Sequence, residues 1–262
     1  TILKEPINSI DLMERAALGC VKRLTNRYYN DQEMVVFCGV GNNGGDGLAI
    51  ARMLIEREYS VKTYIVHSSS NFTADFIVNR ERLKKLSSIF DIHQESDIQV
   101  TLDNTVVIDA LFGVGINRPI EGLCAKVIQH INASKCEIIS IDMPSGLPVD
   151  EHPKGDVKNI IQATYTLTFE QPKLALLLPQ NSSFVGEWNL IPIQLHPQFI
   201  EQVSTDLYFT EAKDIKKLLK KRTKFSHKGS FGHALICAGS YGKMGAAVLS
   251  TSSCLRSGVG LL

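Results

Sequence analysis

The stretch from Met34 to Ile55, MVVFCGVGNNGGDGLAIARMLI, constrains the fold of this chain more than any other. A short apolar run with β-branched residues reads as a buried strand over Met34–Val40. The apolar spacing further on predicts a helix over Asp46–Glu58. Between them stand Gly41, Gly44, Gly45 and Gly47, interleaved with Asn42, Asn43 and Asp46. A plain turn does not need that much glycine. Glycines let backbone amides approach a bound group closely, and amides at a helix N-terminus attract anions. The expectation is a strand, a ligand-binding loop and a helix, which commits the chain to α/β architecture.

Two familiar loops are excluded. The Lys-Ser/Thr pair of a nucleoside-triphosphate P-loop is missing. Gly39, Gly41 and Gly44 complete a G-x-G-x-x-G only formally, and about 20 residues on come Lys62 and Thr63 rather than an acid for a ribose hydroxyl. The amides and the Asp46 carboxylate point to a ligand other than bare phosphate, with a metal ion and a sugar both open.

The alternation continues along the chain. Ile10 to Tyr28 reads as an amphipathic helix capped by Ser9. Strands are expected at Val61–Val66, Thr105–Ile108 and Glu137–Ile141, and helices at Ala74–Leu86 and Leu123–Ile131. After Asp142 the helices stop, and Ala163–Phe169, Leu174–Leu178 and Trp188–Ile193 read as strands. The fold class is α/β, a three-layer Rossmann-like, mostly parallel sheet. In such sheets ligands bind beyond the carboxyl ends of the strands, near the point where strand order reverses. Three strands end in GVGNNGGDG, IDALFGVG and IDMPSG, so these loops are expected to converge on one crevice.

Composition shifts near Thr210. Glu211 to Lys224 carries seven Lys/Arg and two acids, as on a solvated helix. The strand His233–Ala238 and a helix after Gly245 follow. The domain expectation is 1–207 for the first unit, 208–224 for a basic linker helix and 225–262 for the opening of a second α/β domain, cut short at Leu262. The start lacks Met and reads as trimmed.

A net charge of +1 gives no reason to expect nucleic acid or an anionic membrane as partner. No apolar run approaches the roughly 18 residues of a membrane span. The six cysteines contain no C-x-x-C pair and read as reduced thiols of a cytoplasmic protein. The seven histidines show no metal-ligand spacing, so structural zinc is not expected. Oligomeric state stays open, a homo-oligomer included.

Chemistry concentrates at strand ends. Asp109 and Asp142 each follow an apolar run, where a carboxylate can bind a cation or transfer a proton, or simply cap a turn. Oxygen ligands from Asn43, Asp109 and Ser145 suit a hard cation, monovalent or magnesium. Gly113-Val114-Gly115-Ile116-Asn117-Arg118-Pro119 reads as a second anion loop, with Arg118 available for phosphate. Lys173, flanked by apolar residues, is either a partly desolvated proton carrier or a stem that snorkels.

LMERAA at Leu12–Ala17, GNNGGDGLAIARML at Gly41–Leu54, IDALFGVGINRPI at Ile108–Ile120 and IDMPSGLPVD at Ile141–Asp150 together resemble the YjeF N-terminal family over roughly residues 1 to 200. Members with these motifs are NAD(P)H-hydrate epimerases, isomerases of nicotinamide-nucleotide repair that interconvert the R and S forms of a cofactor hydrated at C6. The resemblance implies that Asn42, Asn43, Gly44, Gly45 and Asp46, with Gly113 to Pro119 and Asp142, hold the hydrated dinucleotide. It implies a potassium ion on Asn43, Asp109 and Ser145. Asp142 is the expected general acid/base and Lys173 its partner. The segment from Phe225 on resembles the start of the ribokinase-like NAD(P)H-hydrate dehydratase, as in bifunctional repair enzymes. Use of ADP or ATP belongs to that longer parent, and dehydratase activity is expected to be absent from this chain. Some relatives of the first domain are RNA-decapping scaffolds; the intact NNGGD and both aspartates argue against that role.

Overall fold

The computed structural model describes residues 7–102, 104–116, 118–219 and 221–262. These divide into two compact units, Thr1–Val203 and Ser204–Leu262.

In the first unit, helix α1 (Ser9–Arg27) precedes strand β1 (Met34–Cys38), α2 (Asn42–Ile55), β2 (Val61–Val66), α3 (Ala74–Lys84), β3 (Ile89–Ile92), β4 (Val106–Ala110), α4 (Gly122–Ala133) and β5 (Glu137–Ile141). Next come β6 (Tyr165–Phe169), the short helices α5 (Leu174–Leu177) and α6 (Ser182–Val185), β7 (Glu187–Ile191) and α7 (Pro197–Gln202). The strands form one sheet in the order β3-β2-β1-β4-β5-β6-β7, and every neighbouring pair is parallel.

Alternation along each strand builds the layers. Met34, Val36 and Cys38 of β1 enter one apolar cluster with Ala16, Cys20 and Leu24 of α1, Leu48 and Leu54 of α2, and Phe76 of α3. Val35 and Phe37 enter the opposite cluster with Cys124, Val127 and Ile128 of α4. A strand buried on both faces must be apolar throughout, which is why β1 carries no polar residue. The buried positions of α1, namely 13, 16, 17, 20, 21 and 24, trace one helical stripe.

Several elements differ from the sequence expectation. The α2 helix begins at Asn42, with Gly41 as its N-cap. Gly44, Gly45 and Gly47 therefore lie inside the first turns rather than in a loop. Close packing explains them: a Cβ on Gly44 would fall on the Gly39 carbonyl oxygen. Leu174–Leu177 is a helix, not a strand, and α5, α6 and α7 show that helices continue after Asp142. Its Leu-Ala-Leu-Leu run lacks β-branched residues and carries helix propensity. The four-residue β3 was too short for its alternation to register. The cap of α1 is Asn8, while the Ser9 hydroxyl donates to Asp75 at 2.5 Å.

The second unit holds α8 (Ala212–Leu218) and α9 (Gly245–Ser257). His233–Ala238 is not a strand; His233 makes an isolated parallel bridge to Leu261. Among the described residues of this unit no strand ladder exists for that run to join.

Candidate active site

Strand order reverses between β1 and β4, the switch point at which parallel α/β sheets bind ligands. A cavity of about 1130 Å³ opens there. Its walls include Asn42, Asn43 and Asp46 of α2, Gly113 to Ile116 and Arg118 to Pro119 after β4, and Asp142 after β5. The volume exceeds the roughly 300–1,000 Å³ typical of small-molecule sites, so a dinucleotide-sized ligand has room. The three strand-end loops thus meet at one rim.

Asp109, two residues before the cavity-lining Leu111, is fully buried. Register places it beside Ser140 of β5, whose hydroxyl donates to Oδ2 at 2.7 Å. The Ser145 amide donates to the same oxygen at 2.9 Å, and the Ser145 hydroxyl donates to Oδ1 at 2.5 Å. The Leu111 amide adds a longer contact of 3.3 Å. Burial pushes the Asp109 carboxyl above its ordinary value, and the hydrogen bonds from Ser145, Ser140 and Leu111 pull against that rise. Ser145 in turn accepts the Phe112 amide at 2.9 Å, which ties the β4 and β5 loops together.

Asn43 approaches from α2. A Cβ on Gly113 would sit 3.3 Å from the Asn43 side-chain oxygen and 3.2 Å from Asp142 Oδ2. A Cβ there would press on both side chains by a few tenths of an ångström. The Asn43 Nδ2 atom is buried with no hydrogen-bond partner within the protein, and a buried amide left so is costly unless a ligand meets it.

Asp142 itself adopts φ +65°, in the left-handed region that Asp tolerates better than most residues. That bend turns its carboxylate from the sheet toward the cavity. Lys173 donates to Asp142 Oδ1 at 2.7 Å, to Thr168 Oγ1 at 2.9 Å and to the Phe169 carbonyl at 2.9 Å. The lysine is therefore spent on holding Asp142 rather than lining the cavity. Asp46 is nearby and buried; burial raises its carboxyl well above the ordinary range, and the like charges of Asp142 and Asp75 push the same way.

Not every expected residue faces the cavity. Gly44 and Gly45 lie behind it, packed on the Gly39 backbone and on Met13. Arg118 lines the rim but is exposed. Asn117 lies outside the described residues. Conversely, Ser68 and Ser69 after β2, with Cys124 and Phe169, line the cavity without having been singled out. Three consecutive serines at the end of an apolar strand were the available signal for the first two.

The sequence model of the YjeF-related protein N-terminus family matches residues 9–175, more than half of the chain. The chain belongs to this family. It is 35% identical over 188 residues to the NAD(P)H-hydrate epimerase of Oenococcus oeni, covering 71% of this chain and 86% of that protein. It is 33% identical over 265 residues to the bifunctional NAD(P)H-hydrate repair enzyme Nnr of Moorella thermoacetica, covering 98% of this chain but 49% of that enzyme. The chain thus spans about half the length of the bifunctional relatives it matches. The crystal structure of yeast ynu0 shares the fold, with a TM-score of 0.63 at 19% identity over 79% of this chain and 89% of that one. No helix among the described residues is long and apolar enough to cross a membrane.

Proposed function

We propose that the chain epimerises the R and S forms of NAD(P)H-hydrate. The observation that carries this reading is Asp142, bent by a left-handed backbone into a dinucleotide-sized cavity and held by Lys173 at 2.7 Å. The nicotinamide ring sits against Asp142, and the phosphates lie along the α2 N-terminus and the Gly113–Pro119 loop, where amides and Arg118 offer donors.

The chemistry is loss and return of the C6 hydroxyl, assisted by proton transfer. Starting from the protonated Asp142 carboxyl, the ring nitrogen's electron pair expels the C6 hydroxyl as Asp142 gives up its proton to it, leaving water, a planar iminium ring and the Asp142 carboxylate. Water then adds to either face of C6 and returns a proton to the Asp142 carboxylate. Atoms and charge balance, and the product is the opposite epimer. Lys173 fixes the carboxylate and offsets its charge between the two steps. Asp46, its neutral form favoured by burial, is a hydrogen-bond donor to the substrate. A positioned acid/base of this kind contributes about 10²- to 10⁴-fold in rate.

Asn43, Asp109 and Ser145 would hold a potassium ion, joined by the Phe112 carbonyl that already meets Ser145 at 3.2 Å. The residues fit such an ion. Asp109 is a buried carboxylate whose contacts all come from neutral donors, and Asn43 brings an amide oxygen beside Gly113. One carboxylate with neutral oxygens suits a monovalent cation. When bound, the ion would neutralise Asp109 and brace the floor of the cavity. The reading extends to a cytoplasmic protein, supported by six unpaired cysteines.

The test starts from pure R-hydrate and follows the S form by chromatography, with potassium present and then replaced by sodium. Equilibration in potassium and slower equilibration in sodium are expected. A mixture that stays pure R would end the proposal.

A further inference from the structure

We propose that the adjoining ends of β2 and β3 form a separate binding site for a late first-row divalent cation of the zinc class, held by His67, Asp91 and His93. Register creates the cluster. Val66 pairs with Ile92, and the His67 amide continues the ladder to the Ile92 carbonyl at 3.0 Å. His67 and His93 are therefore opposite one another just past the paired segment. Asp91 lies two residues before His93, on the same face of the ladder. Their ligand atoms all fall within 4.8 Å of one another. Residues 67 and 93 are far apart in sequence, so no spacing rule could reveal them.

The local geometry favours metal over a simple surface charge pair. His67 Nε2 and Asp91 Oδ1 are 2.6 Å apart. The two imidazoles stack with centroids 4.0 Å apart and planes at 21°. Each imidazole brings a nitrogen donor to the cluster. Phe72 packs edge-on against His67 at 5.9 Å and limits its movement. His93 is exposed, so its ring is free to rotate toward an ion while its amide stays pinned to Asp97 at 2.9 Å.

The surrounding charges set the metal class. Arg80 of α3 lies 3.8 Å from Asp91 Oδ1 and offsets part of its charge. Asp97 spends its carboxylate on the His93 and Gln94 amides, and Glu95 pairs with Lys126. One carboxylate beside an arginine is a poor site for calcium or magnesium. Two imidazoles plus that carboxylate make a three-ligand set, which suits zinc, cobalt, nickel or copper. Ser68 follows His67 directly and lines the substrate cavity, so an ion here would stiffen that wall. The proposal does not depend on the epimerase reading.

The full chain is titrated with Zn²⁺ by calorimetry and with Co²⁺ by visible absorption, beside His93→Ala and Asp91→Asn. One Zn²⁺ per chain and a cobalt d–d band are expected for the wild type, with affinity at least ~10-fold weaker in each variant. Zn²⁺ should raise the melting temperature of the wild type by more than that of His93→Ala, because it binds only the folded ladder. Absence of Zn²⁺ binding to the wild type would overturn the proposal. Equal binding by wild type and both variants would also overturn it, since the ion would then sit elsewhere.

Discussion

Asp46, Asp109 and Asp142 show how three carboxylates of one cavity are set apart by their surroundings. Asp109 is satisfied by neutral donors, Asp142 has a lysine at 2.7 Å, and Asp46 has burial and like charge working against its ionised form. A carboxyl raised in the folded state binds more protons there than in the unfolded chain. The contribution of Asp46 to stability is therefore largest below the ordinary aspartate value of about 4 and falls as pH rises from that value toward the folded one. Asp46→Asn removes this dependence. Its melting temperature should gain on the wild type as pH increases from 4 to 8; parallel curves would contradict the assignment. Gly113 tests the meeting point of Asn43 and Asp142. Gly113→Ala places a methyl 3.2 Å from Asp142 Oδ2, so KM should rise several-fold while the melting temperature barely moves. Asp109, Asp142 and Ser145 were legible because each follows an apolar run in an unusual turn. Ser140, the partner of Asp109, was not, since only the β4–β5 register identifies it.

Among the elements, α2 carries the clearest lesson. Its glycines read as a loop, yet they are helical because the helix starts on top of the β1 exit, too close for side chains. Gly44→Ala should cost about 1–3 kcal/mol, the usual range for overpacking a tight site. A Cβ on Gly41 meets nothing within 4 Å, so Gly41→Ala should stay within about 0.5 kcal/mol of wild type. Chemical denaturation of both variants checks the pair, and equal losses would contradict the packing argument. The fully buried strands β1 and β4 were legible as short apolar runs, and α1 and α4 because each buries one continuous stripe at helical spacing. The α5 helix and β3 were not: four residues are too few to distinguish a period of 3.6 from one of 2. Lys173 stands at the N-cap of α5 with its backbone extended.

For the whole molecule, the order β3-β2-β1-β4-β5-β6-β7 is what turns separate motifs into a site, because it sets the β1, β4 and β5 exits side by side. The motifs were visible in the sequence; the switch point that unites them follows only from strand order. The second unit is different. Its described residues form helices and one isolated bridge without a sheet, and large apolar side chains such as Leu218, Phe225, Leu235 and Leu249 are exposed. ADP or ATP added with S-hydrate and this 262-residue chain should regenerate no NAD(P)H, as read at 340 nm; measurable repair would show an active centre in that unit. The central claim rests on one carboxylate. Asn shares the left-handed backbone tolerance of Asp, so Asp142→Asn changes the proton chemistry and leaves the turn. Rates of R-to-S interconversion for wild type and Asp142→Asn, at matched melting temperature, should differ by at least about tenfold and by as much as 10⁴-fold; a variant that equilibrates the epimers as fast as the wild type would contradict the account.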